Sequence, residues 1–163
     1  MDLLRDLSSD GVLTLTLNRP ERLNSLGGTM VPDLIQALRD VDSDRRVRVV
    51  LLTGAGRGFC SGADLSTGGP NRVRADGQIS GEEAGDDIGQ TGRLVLAMLG
   101  CRVPVVGAIN GPAVGAGMGI ALCCDVRIAS DQARMGTVFI KRGLATDYGV
   151  GYWLPRLVGP AKA

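Results

Sequence analysis

A glycine-rich segment between two apolar runs constrains the fold of this chain more than any other feature. Residues 103–109 (VPVVGAI) form an apolar, β-branched run that is typical of a buried strand. Residues 110–112 (NGP) supply turn chemistry, and residues 115–119 (GAGMG) lead into an apolar segment at 120–124 that we expect to be helical. A second strand is predicted directly afterwards, at 126–129.

A strand that enters a helix through such small residues leaves the first N–H groups of the helix unpaired and accessible. A substrate oxygen can then approach the backbone closely, as it does in an oxyanion or phosphate site. The same glycines also permit one backbone to pack closely on another. The segment alone therefore leaves a binding role and a packing role open.

The absence of histidine narrows the chemistry that is available to the chain. It excludes Ser-His-Asp and Cys-His catalysis and the common zinc sites, so acid–base chemistry would fall to carboxylates, cysteine, tyrosine, lysine or water. The net charge is +1 and no basic block is present, so we expect the chain to bind neither nucleic acid nor a membrane surface. The four cysteines lack the spacing of metal ligands, and we expect reduced, buried thiols in a cytoplasmic protein and no bound metal.

Periodicity predicts a strand–helix–strand unit in the first third of the chain. Residues 12–17 (VLTLTL) alternate as a half-buried strand does, and residues 47–53 form a largely apolar strand. Between them, Thr29 is the expected N-cap of an amphipathic helix that runs to about Asp40. Two such strands joined by a helix predict an α/β fold with a mainly parallel sheet.

Other segments are less informative about function. The polar, glycine- and acid-rich segment at 66–92 predicts a surface loop, for which a lid over a site is one interpretation. Helical segments are predicted at 93–99 and 150–158. The small-residue turn at 54–65 has neither the spacing of a dinucleotide fingerprint nor a Gly-Lys-Ser/Thr sequence, which argues against a nicotinamide or ATP site. No basic leader and no apolar run of bilayer length is present, so we expect neither a signal peptide nor a membrane anchor.

Five separated motifs together resemble the crotonase superfamily, also called the enoyl-CoA hydratase/isomerase family. They are LNRPERLNSL at 17–26, FCSGADL at 59–65, the segment 110–119, CDVRIA at 124–129 and LPRLVG at 154–159. Their order and spacing match the family over essentially the whole chain. The resemblance implies a spiral of ββα units with a mainly parallel sheet that binds an acyl-CoA thioester. Coenzyme A would then be part of the substrate, with no separate cofactor.

The resemblance also assigns roles to individual positions. The backbone N–H groups of Ala63 and Ala116 match the two donors that stabilise the enolate of the thioester. Adenine and pantetheine would lie along a strand around 61–65, and Arg22 and Leu23 match a segment that helps to hold the nucleotide end; a solvated surface role for the arginine is the alternative. The positions that match CoA-binding segments are Arg22, Leu23, Ser61, Ala63, Asp64 and Leu65. Asp64 is also expected to order its own turn.

Two departures from the family pattern bear on the reaction. Family hydratases use two glutamates to position and activate water, and the matching positions here hold Gly119 and Phe139. Neither residue can move a proton, so hydration by two glutamates is in doubt. One carboxylate remains at a family position: Asp147 resembles the catalytic aspartate of the dienoyl-CoA isomerases and of the ring-epoxide phenylacetyl-CoA isomerase branch.

One base beside an oxyanion hole suffices for isomerisation. Asp147 would remove an α or γ proton and return it at another carbon of the enolate, and Phe139 would dry the pocket and so raise the pKa of the aspartate. The alternative role for Asp147 is to cap the following helix. At the level of function, an atypical enoyl-CoA hydratase and a catalytically silent acyl-CoA-binding protein are the alternatives to an isomerase.

The sequence ends soon after the LPRLVG motif. Relatives continue into C-terminal helices that complete the acyl pocket, contact CoA and pack trimers, so we expect residues 1–163 to be a crotonase-like core domain without that segment. For the assembled protein, the resemblance implies a homotrimer or a hexamer built as a dimer of trimers.

Overall fold

The computed structural model describes residues 1–67, 72–73, 79–80 and 88–163, in which strands and helices alternate. The first elements are β1 (Leu3–Leu7), β2 (Val12–Leu17), α1 (Met30–Ser43), β3 (Val49–Gly54), β4 (Arg72–Val73) and β5 (Ile79–Ser80). They are followed by α2 (Gly89–Leu99), β6 (Val105–Ile109), β7 (Ala113–Val114), α3 (Ala116–Cys123), β8 (Val126–Ala129), β9 (Met135–Gly136) and α4 (Val150–Val158). Single turns of 3₁₀ helix occupy Pro20–Arg22, Leu65–Thr67 and Phe139–Arg142.

A five-stranded sheet in the order β1-β2-β3-β6-β8 organises these elements. Among the described strands of this sheet, β1–β2 is an antiparallel pair, and β2–β3, β3–β6 and β6–β8 are parallel pairs. Two-residue strands form two smaller pairs, β4 with β5 and β7 with β9. The predicted α/β class with a mainly parallel sheet is confirmed, and so is the strand–helix–strand unit, since α1 connects the parallel strands β2 and β3.

Helix α1 covers the sheet with the face that the sequence predicts. Its apolar side chains at helical spacing are all buried, and each contributes about 1.5–3 kcal/mol of transfer free energy. The helix extends three residues beyond the predicted end at Asp40. Thr29 precedes the helix as expected, but its hydroxyl donates to the Asp33 carboxylate (2.6 Å) and caps no backbone N–H. The buried residues of α1 are Met30, Val31, Leu34, Ile35, Ala37, Leu38 and Val41.

Helix α3 begins at Ala116, four residues earlier than predicted. Gly117 and Gly119, which we expected in a turn, lie inside the helix because the helix backbone contacts other chain segments there. A Cβ on Gly117 would lie 2.1 Å from the Cys60 carbonyl oxygen, and one on Gly119 would lie 2.4 Å from the Cβ of Tyr148. Tertiary packing therefore overrides the low helix propensity of glycine.

The remaining predictions about chain organisation have mixed outcomes. The interpretation of 66–92 as a lid falls largely on 68–71, 74–78 and 81–87, which lie outside the described residues, whereas residues 89–92 belong to α2. Of the predicted buried cysteines, Cys101 is only half-buried, and the other three are buried; all four are free. In the part of the chain that the structure describes, no helix has the length and apolar character needed to cross a bilayer.

Two asparagine side chains, one buried and one half-buried, tie the loops at one end of the sheet together. Asn24, fully buried with a left-handed backbone (φ +56°), donates from Nδ2 to the carbonyl oxygens of Ala55 (2.9 Å) and Gly58 (2.8 Å). Its Oδ1 accepts a hydrogen bond from the Arg19 N–H (2.9 Å). Asn110 donates in the same way to the Gly54 carbonyl oxygen (2.9 Å). The loops after β2, β3 and β6 are thereby held against one another.

We expect Asn24→Ala to lower the free energy of unfolding by about 2–4 kcal/mol, because buried backbone groups lose their partners and alanine disfavours a left-handed backbone. Urea unfolding followed by circular dichroism would measure the change. Gln36→Ala is the control, since it removes an exposed amide whose bond to Asp40 (2.7 Å) lies on the surface of α1, and we expect a change within about 0.5 kcal/mol. Equal effects of the two substitutions would contradict the prediction.

Candidate active site

Two backbone segments lie side by side where β7 meets the turn after β3. The Val114 N–H donates to the Cys60 carbonyl oxygen (2.9 Å), and the Cys60 N–H donates to the Pro112 carbonyl oxygen (3.0 Å). Cys60 and Ala113 form an isolated parallel pairing. Residues 60–63 are therefore held directly against the start of α3.

Glycine makes this approach possible. Gly62 has a φ of +97°, and a Cβ on it would lie 2.8 Å from the Val114 carbonyl oxygen and 3.4 Å from the Ala116 nitrogen. Gly115, which precedes α3, also has a positive φ (+56°). The packing explanation of the glycines is confirmed, and this close packing brings residues 62–63 next to the first N–H of α3, while the binding role stays a prediction.

The N–H groups of Ala63 and Ala116 have no acceptor among the residues that the structure describes. On either side of Ala63, the chain pairs with Leu26: the Leu26 N–H donates to the Gly62 carbonyl oxygen (2.7 Å), and the Asp64 N–H donates to the Leu26 carbonyl oxygen (3.0 Å). Ala116 is the first residue of α3, where no intrahelical acceptor exists. Within the described ranges, neither N–H donates to a protein acceptor. Two free donors on adjacent segments can stabilise an oxygen that gains negative charge.

Asp64 anchors the loop behind Ala63. Its side chain is buried, accepts hydrogen bonds at Oδ1 from the Ser66 hydroxyl (2.6 Å) and N–H (3.0 Å), and forms ion pairs with Arg19 (2.9 Å) and Arg22 (3.2 Å). The Ser66 bonds, followed by the arginines, hold the pKa of Asp64 well below its usual value. The expectation that Asp64 orders its own turn is confirmed by the bond from the Ser66 N–H.

The structure also brings the predicted CoA-binding positions together, in part with a different local conformation. The Ser61 N–H donates to the Leu23 carbonyl oxygen (2.9 Å), and the Ser61 hydroxyl donates to the Arg22 carbonyl oxygen (3.1 Å). The Arg22 guanidinium, half-exposed, donates to the Ser66 hydroxyl (2.7 Å). The strand predicted around 61–65 is wrong: pairing there is limited to an isolated bridge at Ala63, and exposed Leu65 begins a 3₁₀ turn.

Asp147 lies in a separate pocket of about 370 Å³. Its half-buried carboxylate accepts a hydrogen bond from the N–H of Tyr148 (2.6 Å). Burial raises the pKa of Asp147, and the bond from Tyr148 opposes this shift. The residues that line the pocket are Ile88, Thr91, Gly92, Val95, Leu96, Asp147, Tyr148 and Gly149.

The predicted direction of this pKa shift is confirmed, but its cause differs from our expectation. Phe139 packs in an apolar cluster with Met118, Leu122 and Val150 and is not among the residues that line the pocket. The apolar wall around Asp147 comes from α2 and the residue before it, at Ile88, Val95 and Leu96. Sequence analysis missed this wall, although Ile88, Thr91, Val95 and Leu96 recur at helical spacing.

The geometry argues against the alternative that the Asp147 side chain caps α4. The N-cap residue of α4 is Gly149, without any side-chain cap bond, and only the backbone carbonyl of Asp147 accepts from the Val150 N–H (3.0 Å). The Asp147 carboxylate is therefore available to the pocket apart from its bond to Tyr148.

Tyr148 connects the Asp147 pocket to the helix that begins at Ala116. It is buried, adopts a left-handed backbone (φ +49°) and packs against Gly119 in the first turn of α3. Ala63 and Ala116 are thus brought together directly, whereas Asp147 is related to them through Tyr148. A left-handed tyrosine has no sequence signature, so this contact could not be predicted.

Other chemistry is not favoured by the described residues. Burial raises the pKa of the Cys60 and Cys124 thiols to about 12 and that of Cys123 to about 11, so none of the three is a thiolate near neutral pH. Among the described residues, no group of three or more Cys, Asp or Glu side chains could hold a metal ion.

Comparison with known proteins identifies the family. The model for enoyl-CoA hydratase/isomerase matches residues 8–163. A probable enoyl-CoA hydratase of Mycobacterium leprae is 42% identical over 159 residues, which cover 97% of this chain and 54% of that protein. The 1,2-epoxyphenylacetyl-CoA isomerase of Escherichia coli K12 is 41% identical over 158 residues, which cover 94% of this chain and 57% of that protein.

A solved structure gives the same result. The crystal structure of an enoyl-CoA hydratase from Mycobacterium avium subsp. paratuberculosis matches with a TM-score of 0.82 at 35% identity, and the match covers 99% of this chain and 58% of that one. The chain thus spans a little more than half the length of these relatives. It has the crotonase fold, and it belongs to the enoyl-CoA hydratase/isomerase family.

Proposed function

We propose that this chain forms the active-site core of an enzyme that isomerises an enoyl-CoA. The observation that supports this proposal is the combination of two N–H donors without an acceptor among the described residues, on Ala63 and Ala116, with a half-buried carboxylate, Asp147, whose pKa is raised and which Tyr148 connects to α3. The two positions that hold water-activating glutamates in family hydratases are occupied by Gly119 and Phe139, and both are packed against other residues.

The proposed reaction moves one proton and adds no atoms. The ionised Asp147 carboxylate removes a proton α or γ to the thioester, and the electron pair of that C–H bond delocalises onto the thioester oxygen. The N–H groups of Ala63 and Ala116 stabilise the enolate charge. Protonated Asp147 then returns the proton to a different carbon, so the double bond shifts and the mass is unchanged. A raised pKa favours the proton-accepting step.

The coenzyme A portion of the substrate would extend over the loops beside Ala63. Arg22, Leu23, Ser61, Asp64 and Leu65 form the proposed contact surface, and the half-exposed Arg22 guanidinium supplies positive charge for a phosphate. A homotrimer, or a hexamer built from two trimers, is the proposed assembly.

A hydratase is the second candidate, because the Mycobacterium leprae relative carries that name. The contact between Tyr148 and Gly119 argues against it, since no side chain can extend from position 119 without displacing Tyr148. An acyl-CoA-binding protein without activity is the third candidate, and the same assay separates all three.

We expect Asp147→Asn to lower turnover by about 10²–10⁴-fold, since the positioned base is lost, while acyl-CoA binding persists. The assay offers trans-2-enoyl, cis-3-enoyl, dienoyl and aromatic CoA esters, with products identified by mass spectrometry and binding measured by calorimetry. Asp10→Asn, in an exposed turn, is the control and should retain full activity.

The outcomes are distinct. A product of unchanged mass with a moved double bond, lost in Asp147→Asn, supports the isomerase. Full turnover by Asp147→Asn would eliminate it as the base. A product heavier by one water would identify a hydratase, and tight binding without product would identify a silent acyl-CoA-binding protein.

The raised pKa of Asp147 also predicts how stability depends on pH. Ionisation of this group costs more in the folded than in the unfolded state, so its contribution to folding stability declines as pH rises above the unfolded value of about 3.9. Asparagine does not ionise. Urea unfolding of both proteins between about pH 3 and pH 7 should therefore show Asp147→Asn gaining stability relative to the wild type as pH increases. A constant difference would contradict the raised pKa.

The Gly119 contact predicts that the hydratase arrangement cannot be restored by one substitution. Gly119→Glu places a Cβ 2.4 Å from the Cβ and 2.7 Å from the carbonyl oxygen of Tyr148, so we expect a stability loss of about 1–3 kcal/mol and no water addition. Gly119→Ala introduces the same Cβ without the carboxylate and should lose a similar amount. Hydration of a trans-2-enoyl-CoA by Gly119→Glu would show that Tyr148 moves aside easily.

A further inference from the structure

A buried ion pair lies directly behind the loop that presents the Ala63 N–H. Arg19 Nη2 and Asp64 Oδ2 are 2.9 Å apart, and their side chains are only 13% and 6% exposed. We infer that Arg19 is a positioning residue: through Asp64, it fixes the direction of the Ala63 N–H toward the thioester oxygen. This inference rests on the proposed function, because it concerns one of the two proposed oxyanion donors.

The loop needs such an anchor because of its own sequence. Gly62 precedes Ala63 with a φ of +97°, and glycine imposes little restriction on the orientation of the following peptide N–H. The Gly62 carbonyl and the Ala63 N–H belong to the same planar peptide, so the bond that this carbonyl accepts from the Leu26 N–H (2.7 Å) orients the Ala63 N–H for as long as the Ser25–Leu26 and Asp64 backbones are held in place. The side chain of Asp64 is the next point at which the loop is fixed.

Arg19 joins that side chain to the rest of the site. Its Nη1 donates to the Ser25 carbonyl oxygen (2.9 Å) while Nη2 contacts Asp64, so one planar guanidinium spans both segments that flank the donor. Packing around the pair is tight: a Cβ on Gly27 would lie 2.5 Å from Arg19 Nη1 and 2.7 Å from the Asp64 Cβ. The pair therefore has little freedom to adopt another geometry.

Stability alone does not explain a buried pair at this place. Taking two charges out of water costs much of what their attraction returns, and apolar replacements of buried ion pairs are often neutral. Arg22 also contacts Asp64, at 3.2 Å, but its side chain is half-exposed and lies on the solvent side. Of the two arginine contacts, the one from Arg19 is the more buried and the shorter.

The test measures polarisation of a thioester carbonyl by the proposed donors. A saturated acyl-CoA labelled with ¹³C at the carbonyl cannot isomerise, so its infrared carbonyl band can be recorded while it is bound to the full chain. In the wild type, hydrogen bonds from Ala63 and Ala116 should lower the frequency of the band. In Arg19→Gln, the band should shift part of the way back to its position in free acyl-CoA. We expect kcat for an isomerisable enoyl-CoA to be lower by about 10–100-fold, and Kd for the saturated acyl-CoA to change by less than about 3-fold.

Two further variants complete the design. Arg19→Lys keeps the charge but cannot span both partners, and it should give an intermediate band and an intermediate kcat. Arg5→Gln removes an ion pair of similar length on the surface (Arg5 to Asp40, 2.7 Å, with side chains 37% and 50% exposed), and it should behave as the wild type.

The possible results separate a positioning role of Arg19 from a purely structural one. A lower kcat in Arg19→Gln with the wild-type carbonyl band would assign Arg19 a purely structural role and overturn the inference. If Arg19→Gln does not fold, a wild-type band and kcat in Arg19→Lys would overturn it equally. If the wild-type protein binds acyl-CoA without any shift of the band, Ala63 and Ala116 do not polarise the thioester carbonyl. That result would contradict the proposed function itself, whereas the results above concern the role of Arg19 alone.

Discussion

The contact between two glycine-containing backbones underlies the rest of the site. Residues 60–63 and 113–117 approach so closely that a Cβ on Gly117 would lie 2.1 Å from the Cys60 carbonyl oxygen. Because of this approach, α3 begins beside Gly62, and the N–H of Ala116 lies near the N–H that follows Gly62. In the same helix, Gly119 packs against Tyr148, which lies two residues before the start of α4. One steric condition therefore determines both where the donors meet and where the Asp147 segment is placed.

Two aspartates near this contact have opposite electrostatic environments. Asp64 accepts bonds from Ser66 and pairs with two arginines, so its pKa is lowered, whereas burial raises the pKa of Asp147. A carboxylate that stays ionised under all ordinary conditions suits the role of an anchor. A carboxylate that binds a proton more readily suits a group that must accept one and then return it. The different roles that we propose for Asp64 and Asp147 follow from the groups that surround each carboxylate.

The sequence alone predicted the parts of the fold that depend on periodicity. The alternation of 12–17 and the apolar face of α1 are regular, so the parallel β2–α1–β3 unit was foreseeable. The start of α3 could not be predicted, because Gly117 and Gly119 are typical of a turn. The chain segments that pack against them and require glycine there are visible only in the structure. The strand expected at 61–65 failed for a related reason: pairing of Ala63 with Leu26 stops after one residue, where Asp64 turns to bind Ser66 and Arg19.

Side-chain environments were harder to predict than elements, since they depend on packing between distant segments. Asp147 was identified by its position in a motif, yet the apolar surroundings that raise its pKa come from α2, more than forty residues earlier. Phe139, which was expected to supply them, packs with Met118 instead. Arg19 lies within the motif at 17–26, but its contact with Asp64, 2.9 Å away, joins segments 45 residues apart and has no sequence signature.

Tyr148 links position 119 to the backbone around Asp147. A non-glycine residue in the left-handed region costs about 1–2 kcal/mol, and such strain persists where surrounding contacts impose it. Here the imposing contact is Gly119, whose missing side chain leaves room for the Cβ and carbonyl of Tyr148. That backbone, in turn, brings the Tyr148 N–H to the Asp147 carboxylate. A side chain at 119 would occupy the space that the Cβ and carbonyl of Tyr148 take up here, so it requires a different backbone at Tyr148 from the one whose N–H binds the Asp147 carboxylate.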